Sequence, residues 1–435
     1  MTSARQAFRG SFLHCFDNPA IAGEEAVSYI EDGILLIEDG HVVSLSSAAK
    51  TPVPNNTPVQ DLRGKLIVPG FVDCHVHYPQ LDVMACYGTQ LLDWLKNYTF
   101  PVEQQFSDAD IANETAAFFL DELLANGTTT ALVFGTVHKQ SVDAFFNAAQ
   151  QRNLRMICGK VMMDRHAPDA LCDTPTSSYE DSKALIRQWH ETDRLGYAVT
   201  PRFAPTSSNE QLSMAGKLVT EHPSVHMHTH LSENIDECQW VKSLFPDQQD
   251  YLGVYEQHGL VRQRSVFAHA IHLSNSEWTR LQKSSASVAH CPCSNLFIGS
   301  GLFNWQAANE AGVKVGLGTD VGGGDSLSLL RTINEAYKVQ QLQGYSLSPL
   351  DSFYAATLGG ATALDLQKHI GNFEKGKEAD FVVLDTQATP LLNKRTMASK
   401  DWQSTLFALL MLGDDRCIHD TFVLGQSSKR GRPPL

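Results

Sequence analysis

The sequence predicts an α/β chain: a (β/α)8 barrel of TIM type with a small β-sandwich formed by the N- and C-terminal segments. Three observations lead there. Short apolar runs alternate eight times with longer amphipathic stretches. Residues of metal-ligand type stand at the ends of several of those runs, where such a barrel keeps its chemistry. Further strands are read in the segments before the first run and after the last. The expected bounds are 1–68 for the first part of the small domain, 69–372 for the barrel, and 373–435 for its second part and a basic tail.

From Ser28 to Ser47 the chain reads "SYIEDGILLIEDGHVVSLSS", alternating strands with Asp-Gly at each expected turn. A Pro/Asn/Thr-rich stretch, Thr51 to Pro58, separates this hairpin from the barrel. The eight apolar runs are Phe71 to His77, Thr129 to Phe134, Met156 to Met162, Tyr197 to Phe203, Val225 to His230, Val266 to His269, Ser287 to His290 and Val313 to Asp320. Between them lie amphipathic segments such as "SDADIANETAAFFLDELLANG", which opens on a Ser/Asp cap and closes on Gly127. After Asn372 strands return in "GKEADFVVLD" and "DTFVLG". The final "SSKRGRPPL" reads as a solvated basic tail rather than a minor-groove arm.

With 48 acidic and 34 basic residues among 435, the formal charge is −14, which opposes adhesion to nucleic acid or anionic membrane. Small neutral substrates are the simpler expectation. The cysteines, 9 in number and scattered, argue for reduced thiols and a cytoplasmic address. Neither an export segment nor a membrane span is expected.

The motif "PGFVDCHVHYPQ" places His75 and His77 on one face of the first strand, about 7 Å apart along it. Such a pair alone decides nothing, but other strand ends carry matching groups. The fifth run, "VHMHTHLSEN", ends with His230 and then Glu233; the sixth ends at His269; the eighth ends at Asp320, before Gly322-Gly323-Gly324. Imidazoles with one carboxylate suit a borderline cation such as zinc, leaving a position for water. His226 and His228, deeper in their strand, read as packing or supporting groups. Lys160 interrupts the third run and reads as a buried, paired cation. Cys291-Pro292-Cys293 lacks the second cysteine pair that a finger-type metal site needs. At the end of the fourth run stands Arg202 in "TPRFAP", where a two-metal barrel would offer a bridging lysine, so a single ion is favoured.

His75-Val76-His77, His230, His269 and Asp320 on eight such strands resemble the amidohydrolase superfamily. "HYPQ", "YGTQLLDWLKNYTFP", "NGTTTALVFGTVH", "PRFAPTSS", "HTHLSEN" and "GSGLF" are similar, more narrowly, to its guanine deaminase branch, from about Gly40 to Pro390. The resemblance implies one zinc ion per subunit on His75, His77, His230 and Asp320. It implies catalytic roles for Glu233, His269 and Asp320, and contacts to a guanine substrate from His77, Gln80, Arg202, Phe203, His230, Glu233 and Asp320. It also implies water as co-substrate, xanthine and ammonia as products, and a homodimer. By position alone, Arg202 serves equally well as a structural ion pair. Asp325 departs from the small or hydroxyl residues of the branch and adds charge near the mouth. A related amino-heterocycle as substrate, or a non-catalytic scaffold, are the competing readings.

Overall fold

The structure, a computed structural model, describes residues 5–50, 52–88 and 90–429. Most of the basic tail therefore lies outside the described residues. Strands are numbered along the chain. The first four are β1 (Arg5–Cys15), β2 (Val27–Glu38), β3 (His41–Ser47) and β4 (Val59–Pro69). β2 and β3 pair antiparallel around Asp39-Gly40, both with positive φ (+50° and +79°), as the Asp-Gly signature requires. The other Asp-Gly makes no turn. Gly33 lies inside β2 opposite Gly10, and a Cβ there would come within 2.8 Å of Phe12, so close approach is what demands glycine.

Nine strands follow: β5 (Phe71–His77), β6 (Thr128–Phe134), β7 (Arg155–Gly159), β8 (Val161–Met162), β9 (Gly196–Pro201), β10 (His226–Leu231), β11 (Ser265–His269), β12 (Ser287–His290) and β13 (Lys314–Leu317). They run parallel in the order β5-β6-β7-β9-β10-β11-β12-β13, with the short β8 paired to β9. Backbone hydrogen bonds from Asp320 N to His75 O and from His77 N to Val321 O, both 2.9 Å, tie the chain beyond β13 to β5. β5 and β6 are buried along their whole length because side chains fill the barrel inside and helices cover it outside. This burial on both faces makes the runs apolar rather than alternating. The helix Ala109–Ala125 starts where Asp108 accepts from the amides of Asp110 and Ile111, and the chain leaves it through Gly127 at φ +82°. The expected third run divides at Lys160, whose ammonium is buried against the carboxylate of Asp173.

The C-terminal strands β14 (Phe381–Leu384), β15 (Ile418–Val423) and β16 (Gln426–Ser427) complete the other sheet, in the order β16-β15-β14-β4-β1-β2-β3. This sheet curls so that its two halves face one apolar core. Phe8 of β1 meets Phe381 and Phe422 with ring centroids 5.0 and 5.1 Å apart. Hydrogen bonds from Val42 N to Lys377 O and from Ala379 N to Gly40 O draw its free edge toward the strand entering β14. Arg194, beyond the helix that precedes β9, pairs with Glu378 and Asp380 and fastens this sheet to the barrel.

Two buried histidines make the fold acid-sensitive. His14 on β1 packs against Phe16 and Phe373, and burial pushes its pKa down to about 4. His226, at the start of β10, is likewise pushed down to about 4 by burial, with Nε2 bonded to Leu364 O at 2.7 Å. The unfolded chain binds these protons near pH 6.5, before the folded one does. The stability they contribute is therefore whole above about pH 6.5 and is lost as pH falls toward 4, by about 3 kcal/mol for each at most. Denaturant unfolding at pH 7 and pH 4.5 should show the decline, and His14→Phe should remove part of it; equal stability at both pH values would contradict it.

Candidate active site

His75 and His77 leave β5 on the same face, and their Nε2 atoms lie 3.2 Å apart inside the barrel mouth. His230 of β10 brings its Nε2 to 3.2 Å from that of His77. Asp320, three residues beyond β13, places Oδ1 3.1 Å from His75 Nε2 and 3.4 Å from His77 Nε2. Donors bound at 2.0–2.1 Å around a tetrahedral ion stand about 3.3–3.4 Å apart, so the four fit one ion such as zinc. Donor atoms of His75, His230, His269 and Asp320 also lie within 4.8 Å of one another, so His269 stands as a further candidate donor beside His77.

The chemistry of the donors fits as well. His230 holds its Nδ1 proton on the carbonyl of Arg202 at 2.7 Å, leaving a lone pair on Nε2. His75 Nδ1 bonds His228 Nε2 at 2.7 Å, which gives the deeper histidine its role as a support. Burial pushes the pKa of His75, His77 and His230 well below the usual imidazole range. They are thus neutral, the form that ligates. With their Nε2 lone pairs turned toward one another, imidazoles 3.2 Å apart in a buried site repel unless a cation lies between them.

The surrounding backbone is bent to serve this cluster. Ser232, His269 and Asp320 all have positive φ, +49°, +71° and +49°, sparsely populated for side-chain-bearing residues and typical of functional sites. Asp73, buried within β5, accepts from the amides of His75 and Thr319 at 3.1 Å each and so pins the strand to the loop that carries Asp320. Asn295 fixes His269 through Nδ1 at 2.8 Å.

Glu233 lies beside the metal cluster. Its Oε2 is 3.3 Å from His269 Nε2, and its Oε1 accepts from Ser300 Oγ at 2.9 Å. Burial pushes the Glu233 carboxyl up to about 7. For His269, burial pulls the pKa down, but the facing carboxylates of Glu233 and Asp320 outweigh it and the net shift is upward. A cleft opens over these groups and is lined also by Gln80, Arg202, Phe203, Trp94 and Ile298.

Arg202 makes a buried ion pair with Glu103 and also lines the cleft. Glu103, Trp94, Ser300, Asn295 and Asp73 are site residues that sequence reasoning missed. The segments "YGTQLLDWLKNYTFP", "GSGLF" and "PGFVDCHVHYPQ" hold Trp94, Ser300 and Asp73 without singling them out, and the first stops two residues short of Glu103. Cys291 and Cys293 are buried and do not join the donor group, burial raises their thiol pKa, and Cys293 Sγ faces Thr332. Asp325 pairs with Arg331 at 3.3 Å and does not line the cleft.

A barrel with this donor cluster at its C-terminal mouth defines a class of metal-dependent hydrolase. The sequence pattern of the amidohydrolase family matches residues 66–427, and the chain belongs to that family. It is 55% identical over 426 residues to the guanine deaminase of Escherichia coli (strain K12), covering 97% of both chains. The solved structure of E. coli guanine deaminase superposes with a TM-score of 0.95 at 54% identity, over 97% of this chain and 99% of the other. A crystal structure of guanine deaminase from C. acetobutylicum with bound guanine in the active site superposes with a TM-score of 0.88 at 30% identity, over 97% and 99%.

Proposed function

We propose that the chain hydrolyses guanine to xanthine and ammonia with one zinc ion held by His75, His77, His230 and Asp320. The observation that carries this reading is near-full-length identity of 55% to a guanine deaminase, in a chain whose donors converge beneath a cleft lined by Gln80, Arg202 and Phe203. An ion so held would lower the pKa of a bound water from near 15.7 to about 7. Asp320 faces the imidazoles with Oδ1 and His269 with Oδ2, so one oxygen is left to take a proton from the attacking water. Glu233, with a carboxyl near 7, can both accept a proton and give it up at neutral pH. It passes the proton to the ring nitrogen beside C2, which makes that carbon electrophilic. His269 stabilises the oxygen that bonds to C2. The proton remaining on that oxygen is passed to the exocyclic amine, C2=O forms as the C2–N bond breaks, and ammonia leaves. Arg202 and Gln80 hold the polar edge of the base, and Phe203 flanks the ring.

Guanine incubated with the zinc-loaded chain should yield xanthine and ammonia in equal amounts. Chelation should abolish turnover and added zinc should restore it. Turnover of another amino-heterocycle without guanine would reassign the substrate, and none with any would overturn the reading. Nine free thiols and the lack of any helix, among the described residues, long and apolar enough to cross a membrane support a cytoplasmic site of action. The homodimer expected of this reading is checked by light scattering.

A further inference from the structure

Glu103 closes the short helix Phe100–Glu103 and is fully buried beside the cleft. Its carboxylate accepts from Arg202 Nη1 at 3.0 and 2.8 Å and from Gln80 Nε2 at 2.9 Å. It thus joins two residues that stand far apart in the chain and line the same cleft. A carboxylate only accepts, so the Gln80 amide nitrogen must face Glu103 and its Oε1 must turn away. That oxygen receives Gly322 N at 3.3 Å and keeps a second lone pair for a ligand. Arg202 has Nη1 committed to Glu103 and lies with its guanidinium over Phe100 at 5.6 Å, so its plane is held as well. Only its remaining N–H groups can serve a ligand. The edge presented is therefore an acceptor beside a donor, in an order that without Glu103 only the longer contact from Gly322 N at 3.3 Å would hold.

We propose that Glu103 is a positioning residue that sets the hydrogen-bonding polarity of this edge, so that the site accepts a purine with an N–H beside a C=O and refuses one with a bare nitrogen beside an amine. This deepens the guanine reading and rests on it for the placement of the base. A lactam edge meets the acceptor of Gln80 and the donors of Arg202. The amino edge of adenine would set lone pair against lone pair and N–H against N–H, which buried polar groups do not tolerate. A residue that merely neutralised Arg202 would instead support all purines alike.

Hypoxanthine and adenine separate these roles, since neither has a 2-amino group and binding is read without deamination of that group. Calorimetric titration of the zinc-loaded full chain should show hypoxanthine preferred. In Glu103→Gln, whose side-chain amide can turn and lets that of Gln80 turn with it, the preference should fall by about tenfold or more. Glu103→Asp, which keeps an acceptor-only group, should recover part of it. A preference absent from the unaltered chain, or unchanged in Glu103→Gln, or lost only because both ligands weaken in parallel, overturns the proposal. Should Glu103→Gln fail to fold, Gln80→Met leaves the Arg202 ion pair in place and must lose the preference too; if it keeps it, the proposal falls. Guanine turnover by the unaltered chain is measured alongside: its absence with the preference intact defeats the catalytic reading and leaves this one standing.

Discussion

Glu233→Gln is expected to lower kcat for guanine by about 10²- to 10⁴-fold while the variant still binds its metal ion. The amide matches the carboxylate in shape and can still accept from Ser300 Oγ, so the local packing survives. What it loses is the ability to carry a proton near neutral pH, which burial has tuned the native carboxyl to do. Glu233 is not one of the four donors that stand at tetrahedral spacing, so zinc content measured by atomic emission should match that of the unaltered chain. Because the loss falls on a step after binding, KM should change far less than kcat. Full activity in the variant would remove Glu233 from proton transfer; loss of zinc would make it a ligand.

His230→Ala should behave differently, losing the metal and turnover together. It removes one of four donors and the Nδ1 hydrogen bond to the Arg202 carbonyl, which still accepts from the backbone N of residue 230 and from Thr229 Oγ1. Zinc that binds only the folded chain stabilises it by about 2.7 kcal/mol at a free concentration 100 times its Kd. The unaltered chain should therefore melt higher as zinc is added, and the variant should not respond. A variant that retained stoichiometric zinc and its thermal response would exclude His230 from the donor set. Together the two substitutions separate holding the ion from moving the proton, roles that burial in one cleft otherwise merges.

Much of this architecture was legible beforehand because barrel strands are short, apolar and spaced by helix-length segments. The run Phe71–His77 was placed without error, and that of β12 as well. Strand ends were less legible. Arg202 and Asp320 lie past the last paired residues of β9 and β13, since the chain there breaks from the ladder to turn its side chains inward. Asp32-Gly33 carries a turn signature yet sits within a strand, because a neighbouring aromatic ring needed space, and no local pattern reports a neighbour. Glu103 was missed for a related reason. It lies in an irregular helical stretch without useful periodicity, and its meaning comes from Arg202, 99 residues away.

The amino-acid order by itself determined which residue types could ligate, on which face His75 and His77 would stand, and that strands and helices would alternate. These depend on geometry repeating every two or 3.6 residues, and so on neighbours in the chain. Only the tertiary structure decided that His75, His77, His230 and Asp320 approach to within the span of one ion, that His228 and Asn295 orient their partners, and that Glu103 holds Gln80 and Arg202 together. Such pairings arise when barrel closure buries polar groups from distant segments, each of which must then find its partner across the fold.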